Sequence, residues 1–449
     1  MGASKLVLIV IDGLTPKMLE DAVERKSVPA LAFLKEHGKY RRAITAFPSL
    51  TPVCLASLAT GAHPDVHGIP HLVWFHRGEQ RLVEYGSSFG AIRAIGARRS
   101  IRDAVFSMNE EHLSRRAVTI YEALDDAGLV TAAVNMVCYR GRTRHMATLP
   151  GVTRPAYGPR RFFYYNLFES DVTGAPFAVR TRARGSVDEY ARVVGRWLVT
   201  RDGFDFFVFY LPDYDFASHA SGPERAHAAL ARADRAVGAL FDAAGGPDAF
   251  LDRYAVVLCS DHGQTRVERI ERLQDSFAGF RLFRRGNGSR AQLAVTASNR
   301  AGMVYRLPGC GAEPADLAQH LDGGEHVVLY REDGNAVARR SGETFRFSPG
   351  AEGWLTAGPS GILDQPEALE RAWAALANPN AGDLIVSAAP GVEFADAGGR
   401  HHVGGGSHGS LELGDSEVPM LTIGLESAPA RIVDVAPLVL RHFGVTHAT

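Results

Sequence analysis

The chain has 449 residues, enough for one large α/β domain with an insertion or for two domains. Its 49 basic and 50 acidic side chains give a net charge of −1, which excludes a broad charged field that would bind a nucleic-acid duplex or an anionic membrane. No lysine follows Lys39 and no Gly-Lys-Ser/Thr occurs, so a P-loop and a Schiff-base lysine deep in the chain are excluded as well.

The N-terminal segment is a short apolar run, Leu6 to Ile11, directly followed by Asp12-Gly13. It lacks the small-residue cleavage site of a secretory signal and therefore predicts a first buried strand. Thr15-Pro16 then marks a helix start, and a second helix is expected from Pro29 to a stop at Gly38.

Three later helical segments each precede an apolar run, which predicts an α/β fold with a mainly parallel sheet sandwiched by helices. The helix–strand pairs are residues 119–127 with 129–137, 186–200 with 204–211, and 224–244 with 254–259. The four cysteines show no CxxC spacing, so we expect neither disulfides nor a thiolate zinc site. No apolar run approaches the ~18 residues that cross a bilayer, and we expect a soluble cytoplasmic protein without membrane contact.

The pattern changes between residues 264 and 382, where short β-like pieces surround a turn at Asp333-Gly334-Asn335 that predicts a hairpin. The helix and strand pattern then resumes with residues 383–388, 419–425 and a final helix over 433–443. We therefore predict a catalytic core formed by residues 1–263 and 383–449, with residues 264–382 as an inserted α+β cap.

Metal-ligand residues follow buried strands at several places, at the edge where an open parallel sheet usually builds its site. Adjacent aspartate and histidine at a buried strand end are costly unless they are paired or bound to a cation. A carboxylate and an imidazole four residues apart lie on one side of a helical turn, and a glycine-rich loop can deliver a remote histidine. The candidate ligands are Asp12, Asp215, His219, Asp261, His262 and His408.

Four of these six positions also have a plainer interpretation. Asp12-Gly13 is compatible with an ordinary turn, Asp215 and His219 with a surface helix, and the loop around His408 with a simple glycine loop. Asp213 competes with Asp215 as a ligand, although its spacing from His219 fits one helical turn less well. Imidazoles and carboxylates together suit two Zn²⁺ ions ~4 Å apart, with other divalent ions such as Mn²⁺ as the alternative.

Thr51 is the candidate nucleophile. Thr51-Pro52 follows a predicted strand over residues 40–47 and begins an apolar run, so the sequence predicts Thr51 as a helix N-cap with proline in the first helical position. A hydroxyl there lies where backbone N–H groups and the helix dipole stabilise a phosphate group. A plain helix start remains the alternative interpretation.

Taken in order, these motifs resemble those of the alkaline phosphatase superfamily, and within it most resemble the nucleotide pyrophosphatase/phosphodiesterase-like enzymes. The resemblance spans residues 9 to 409 and does not cover the cap. The matching segments are Ile-Val-Ile-Asp12-Gly-Leu, Phe-Pro-Ser-Leu-Thr51, Thr60-Gly61 through His67-Gly68-Ile, Asp215-x-x-x-His219-x-x-Gly-Pro, Ser-Asp261-His262-Gly and Gly-Ser-His408-Gly.

The resemblance implies which residues hold the metal ions and how the reaction proceeds. One zinc would be bound by Asp215, His219 and His408, and the other by Asp12, Asp261 and His262 with the oxygen of Thr51. The Thr51 alkoxide would attack phosphorus, and the phosphothreonine intermediate would then be hydrolysed. The implied substrate is a small phosphoester, most simply a phosphodiester or a nucleotide pyrophosphate. His63 and His67 are expected to be structural.

Some positions depart from the family pattern. The relatives usually carry an asparagine after His-Gly-Ile that contacts a phosphate oxygen, and this chain has Leu72 there. Phosphomonoesterases of the superfamily hold a third metal ion through a glutamate at the place of Tyr210. A tyrosine there implies that the third ion is absent, which favours diesters over monoesters as the substrate. A phosphonate or phosphomonoester hydrolase and a catalytically silent binding protein remain the alternatives. The aromatic segments Arg160–Tyr165 and Trp74-Phe75 are expected to pack against the core. The alternative is that they line the cleft, where the rings would stack on a nucleobase and arginine would bind phosphate.

Overall fold

A mixed sheet of eight strands forms the centre of the fold in the computed structural model, which describes residues 4–148, 154–165, 167–170, 177, 186–284 and 290–446. In sheet order the strands are Lys39–Ile44, Glu417–Ile423, Tyr254–Cys259, Lys5–Ile11, Phe206–Leu211, Thr131–Val134, Arg161–Tyr164 and Phe168–Glu169. The five strands from Tyr254–Cys259 to Arg161–Tyr164 pair in parallel, and the remaining pairings are antiparallel. The predicted mainly parallel α/β sheet is confirmed.

The strand Lys5–Ile11 is buried on both faces, which is why it reads as a continuous apolar run. Val7, Ile9 and Ile11 belong to one hydrophobic cluster, whereas Leu6, Leu8 and Val10 belong to another on the opposite face. Burying one such side chain stabilises the fold by roughly 1.5–3 kcal/mol, so the strand is a strong anchor for the residue that follows it.

Helices cover both faces of this sheet. Those that contribute to the cluster of Val7 include Pro16–Glu24, Pro29–His37, Val187–Thr200 and His227–Ala244, and those that contribute to the cluster of Leu6 include Thr51–Thr60, Ile120–Asp126 and Val435–His442. The predicted start at Thr15 is confirmed, because the N–H of Met18 donates to its hydroxyl oxygen at 3.2 Å. In the described ranges no helix is long and apolar enough to cross a membrane.

Further helices lie in the connections between these elements. They are Pro64–His67, Phe89–Ile95, Ala97–Arg102, Asp213–Ser221, Pro247–Arg253, Pro314–Gln319, Ala368–Ala377 and Leu413–Ser416.

A second, antiparallel sheet of seven strands is formed mainly by the segment predicted as a cap. Its strands in sheet order are Leu293–Ser298, Ala301–Arg306, Leu384–Ser387, Val327–Glu332, Asn335–Arg340, Glu343–Gly350 and Gly353–Ala357. Glu332 pairs with Asn335, and Asp333 and Gly334 both have positive φ (49° and 81°), as a two-residue type I′ turn requires. The predicted hairpin is therefore confirmed.

The strand Leu384–Ser387 corrects one expectation. The resumed α/β pattern after residue 382 predicted a core strand here, but this strand pairs on both sides within the second sheet. A short apolar segment does not reveal its sheet, because the pairing partners lie 54 to 86 residues earlier in the chain. The second sheet also shares a hydrophobic cluster with the central sheet, through residues such as Met303 and Ile385. The division into core and inserted cap stays a prediction.

Candidate active site

The candidate ligands follow three neighbouring strands of the central sheet. Asp12 follows Lys5–Ile11, Asp261 and His262 follow Tyr254–Cys259, and Asp215 and His219 lie on the helix that follows Phe206–Leu211. Because parallel strands end at one edge of a sheet, these side chains meet there. His408 joins them from the glycine-rich loop, whose short strand Gly406–Ser407 pairs with Thr265–Arg266. The structure thus brings together all six residues that the sequence singled out.

A first group of ligand atoms comes from Asp12, Asp261 and His262. One oxygen or nitrogen atom of each lies within 4.8 Å of the others. Nε2 of His262 is 3.3 Å from Oδ1 of Asp12 and 3.5 Å from Oδ2 of Asp261. Oγ1 of Thr51 is 3.0 Å from the same nitrogen, so the hydroxyl lies beside this group.

A second group is formed by Asp215, His262 and His408, again within 4.8 Å. Nε2 of His408 is 3.9 Å from Oδ1 of Asp215, and the rings of His262 and His408 stack 3.6 Å apart. His219 lies at the edge of this group, with Nε2 3.4 Å from Oδ2 of Asp215. The family resemblance implied His219 as the third ligand of this set, whereas here His262 completes the compact group. Since the two groups share His262, they are contiguous.

The three imidazoles all present Nε2 to the centre of the site because Nδ1 is used elsewhere. Nδ1 of His219 bonds to the carbonyl oxygen of Gly406 at 2.7 Å, that of His262 to Gly263 at 3.0 Å and that of His408 to Ser49 at 2.8 Å. A carbonyl oxygen only accepts, so Nδ1 carries the proton and Nε2 keeps its lone pair. Histidines that ligate metal ions are oriented in this way.

The carboxylates carry oxygens that suit a cation. Oδ1 of Asp12 and Oδ2 of Asp261 are buried and accept no hydrogen bond from any residue that the structure describes. Burial, followed by the charges of Asp261 and Asp215, raises the pKa of Asp12, and burial also raises the pKa of Asp261. Burial lowers the pKa of His219 and His408, which keeps both rings neutral. Crowded carboxylates, neutral imidazoles and unpaired oxygens together fit divalent cations.

Two residues that orient the ligands were not singled out by the sequence as doing so. Tyr210 is buried at the end of its strand and donates its hydroxyl to Oδ2 of Asp12. Gln264 donates its amide to Oδ1 of Asp215, and the hydroxyl of Ser218 donates to the same glutamine. Their only sequence signal is position, because Gln264 follows Asp261-His262-Gly and Tyr210 lies in the strand before Asp215.

Thr51 is the first residue of its helix and not the N-cap, which is Leu50. Pro52 has no N–H, and the N–H groups of Val53 and Cys54 both donate to the carbonyl oxygen of Leu50. Among the described residues, the Thr51 N–H has no acceptor. The predicted anion-stabilising helix end is therefore reduced to one backbone donor beside the hydroxyl.

Two further expectations concern nearby polar residues. His67 is buried, lies 3.1 Å from the Ser57 hydroxyl and accepts from the N–H of Ile69, so its structural role is confirmed. Asp213 is not placed as a ligand. Its carboxylate accepts from the hydroxyl of Ser186 and from two N–H groups at the start of Val187–Thr200, where it caps that helix.

A cavity of about 520 Å³ is lined by Thr51 and by four of the six ligands, Asp12, Asp215, His219 and His408. Its wall is rich in aromatic rings: Phe89 and Phe216 are 81% and 60% exposed, and Tyr164 and Tyr165 also line it. The expectation that the segment containing these tyrosines only packs is wrong for those two residues, since the last strand residue and its successor reach the cavity. Trp74 and Phe75 are buried, as expected. Leu72 lines the cavity and offers no donor.

Comparison with known proteins places this geometry in a family context. The model of the family described as type I phosphodiesterase / nucleotide pyrophosphatase matches residues 6–411. The match includes all six candidate ligands and Thr51.

Solved structures with a similar fold include those of two kinds of enzyme. Murine ectonucleotide pyrophosphatase / phosphodiesterase 5 aligns with a TM-score of 0.62 and 13% identity over 99% of this chain and 96% of its own. Phosphonoacetate hydrolase from Sinorhizobium meliloti 1021, in complex with phosphonoformate, aligns with a TM-score of 0.62 and 19% identity over the same shares. The human ectonucleotide enzyme gives a TM-score of 0.61 at 14% identity. At such identities the structural likeness establishes the fold.

Proposed function

The chain belongs to the type I phosphodiesterase / nucleotide pyrophosphatase family of the alkaline phosphatase superfamily, a group of metal-dependent phosphoester hydrolases, and from this membership we propose the reaction at its site. We propose that it hydrolyses phosphodiester or nucleotide pyrophosphate bonds with two zinc ions and a phosphothreonine intermediate on Thr51. The observation that carries the proposal is the convergence of two contiguous ligand groups beside the Thr51 hydroxyl.

The proposed ligands are Asp12, Asp261 and His262 for one ion and Asp215, His219 and His408 for the other. The inward Nε2 atoms and the unpaired carboxylate oxygens support this assignment. When bound, the two cations would lower the pKa of the Thr51 hydroxyl and stabilise negative charge on the departing oxygen. Each compact group contains two residues that the other lacks, which supports two ions rather than one.

Thr51 is the proposed nucleophile because its hydroxyl lies beside the ligands, at the floor of the cavity. Its backbone N–H has no acceptor among the described residues, and we propose that it donates to a phosphoryl oxygen of the bound ester. A threonine-to-alanine variant of the murine enzyme is described as inactive and was solved with AMP. That description supports a threonine in the same role here.

A diester is the proposed substrate class. The position from which monoesterases hold a third metal ion is occupied by Tyr210, whose hydroxyl is used by Asp12. The exposed rings of Phe89 and Phe216 at the cavity favour a substrate with a flat or apolar group, and a nucleotide provides one.

Metal analysis combined with a substrate panel tests the proposal. We expect about two zinc ions per chain and turnover of bis-p-nitrophenyl phosphate and a nucleotide pyrophosphate. The panel includes p-nitrophenyl phosphate and phosphonoacetate as competing classes. Thr51→Ala should keep its metal, because three protein ligands remain for each ion. It should lose turnover, because the nucleophilic hydroxyl is gone. Full activity of this variant would refute the nucleophile, and metal without turnover of any ester would refute the enzyme class proposed.

A further inference from the structure

A hairpin of the second sheet reaches into the active site. Strands Leu293–Ser298 and Ala301–Arg306 are joined by the two-residue turn Asn299-Arg300, in which Asn299 has a φ of 57°. The N–H of Arg300 donates to the carbonyl oxygen of His408 at 2.8 Å. The turn and the loop of His408 lie so close together that a Cβ on Gly409 would be 3.2 Å from the backbone nitrogen of Arg300. The turn is therefore a fixed part of the wall beside a candidate ligand.

The side chain of Asn299 is directed at the ligands. The residue is 7% exposed and lines the cavity. Its amide nitrogen Nδ2 lies 2.9 Å from Nε2 of His408, and its oxygen Oδ1 accepts from the hydroxyl of Ser298 at 3.2 Å. Because Ser298 uses the amide oxygen, the NH₂ group is the end that faces the site.

The contact with His408 conflicts with the proposed ligand role of that histidine. Nε2 has a single lone pair, which cannot serve both a cation and an N–H donor. In the described part of the chain the Asn299 amide has no acceptor besides this nitrogen. Once His408 binds a cation, a buried donor is left without a partner, which is unfavourable until an acceptor arrives. An anionic phosphoryl oxygen is such an acceptor.

We propose that Asn299 is a substrate-binding residue that donates its amide N–H to a non-bridging phosphoryl oxygen. The inference rests on the proposed function and adds the residue that holds the transferred group. The backbone N–H of Thr51 is a second neutral donor beside the ligands, and the side chain of Leu72 on the same cavity wall supplies none. The second sheet thus contributes chemistry to the site as well as a wall.

The positive φ of Asn299 determines which variants are informative. Glycine adopts this conformation without strain, so Asn299→Gly removes the amide and keeps the turn. Asn299→Asp keeps the shape, tolerates the same backbone and replaces the donor with a negative oxygen. Asp333→Gly is the matched control, because Asp333 also has positive φ (49°) in a two-residue hairpin turn of the same sheet and lies outside the cavity residues.

The experiment measures bis-p-nitrophenyl phosphate turnover, inorganic phosphate affinity by calorimetry, and metal content for each variant. We expect Asn299→Gly to lose roughly 100-fold in kcat/KM and at least about 10-fold in phosphate affinity, with metal content unchanged. Asn299→Asp should have still lower kcat/KM and phosphate affinity because its negative charge repels the phosphoryl group. Asp333→Gly should match the wild type in all three measurements.

Three outcomes would overturn the inference. Asn299→Gly could stay within about threefold of the wild type in both kcat/KM and phosphate affinity, or it could lose its metal together with its activity. The third outcome is a higher kcat/KM or phosphate affinity for Asn299→Asp than for Asn299→Gly. The last result would make the side chain a metal ligand rather than a donor. If the wild-type protein holds metal but hydrolyses no ester, the proposed function fails separately. The phosphate titration still decides the role of Asn299, because it requires binding alone.

Discussion

The pair Arg300–Asp415 is predicted to fasten the second sheet to the ligand loops. Both side chains are fully buried, and the guanidinium donates to Oδ1 of Asp415 at 2.8 Å. It also donates to the carbonyl oxygens of Ala389 and Val392 at 3.1 and 3.0 Å. The carbonyl oxygen of Asp415 accepts from the N–H of Gly263, next to His262. Replacing Arg300 by methionine keeps the volume and removes every one of these donors.

The expected cost follows from the number of groups left unpaired. Breaking a buried ion pair by removing one partner costs about 3–5 kcal/mol, because the other charge stays buried. The carbonyl oxygens of Ala389 and Val392 lose their donors as well, so we expect Arg300→Met to fall near the upper end of that range. Asp415 keeps hydrogen bonds from Ser410 and Thr265, which limits the total.

Urea unfolding followed by circular dichroism measures this cost. Arg346→Met is the control, since Arg346 forms a 2.8 Å pair with Glu332 in the same sheet, both side chains being partly exposed, and it should lose less than about 1 kcal/mol. The double variant Arg300→Met/Asp415→Asn should lose about 2 kcal/mol less unfolding free energy than the sum of the losses of the two single variants. If Arg300→Met does not fold, Arg300→Lys provides the measurement with an intermediate loss. An Arg300→Met loss as small as that of Arg346→Met would refute the reasoning.

Two further predictions concern metal affinity and acid stability. Gln264→Ala removes the donor that orients Asp215 and should weaken metal binding roughly 10–100-fold in a chelator competition, whereas unchanged affinity would contradict the orienting role. Burial lowers the pKa of His71 from 6.5 to about 4, so the native state favours the neutral ring, and stability present above pH 6.5 is lost as the pH falls toward 4. Between pH 7 and pH 4 the unfolding free energy of His71→Asn, measured with urea, should fall by about 3 kcal/mol less than that of the wild type. Equal falls in the two proteins would exclude His71 as the source of the acid sensitivity.

Much of the fold was predictable because its signals are local. The apolar run before Asp12 is a strand buried on both faces, and Thr15-Pro16 begins a helix with a side-chain cap. Asp333-Gly334 has the residue types that a type I′ turn requires, and the turn forms. These features depend on neighbouring residues alone, which a sequence displays directly.

The remaining features depend on contacts between distant segments. Leu384–Ser387 has the composition of any buried strand, and only its pairing partners decide its sheet. The predicted helix position of Thr51 was wrong by one residue, because Leu50, an unusual N-cap, supplies the carbonyl oxygen for the first turn. Asn299 belongs to no motif and lies 109 residues before His408, so no spacing rule could place its amide beside the ligands.

Two divalent cations between the six ligands and Thr51 are the central feature of the proposed site. Anomalous diffraction at the zinc edge from crystals of zinc-loaded Thr51→Ala tests this directly. We predict two peaks ~4 Å apart, one within ~2.2 Å of ligand atoms of Asp12, Asp261 and His262 and one at the same distance from Asp215, His219 and His408. A single peak, or peaks away from these side chains, would contradict the account.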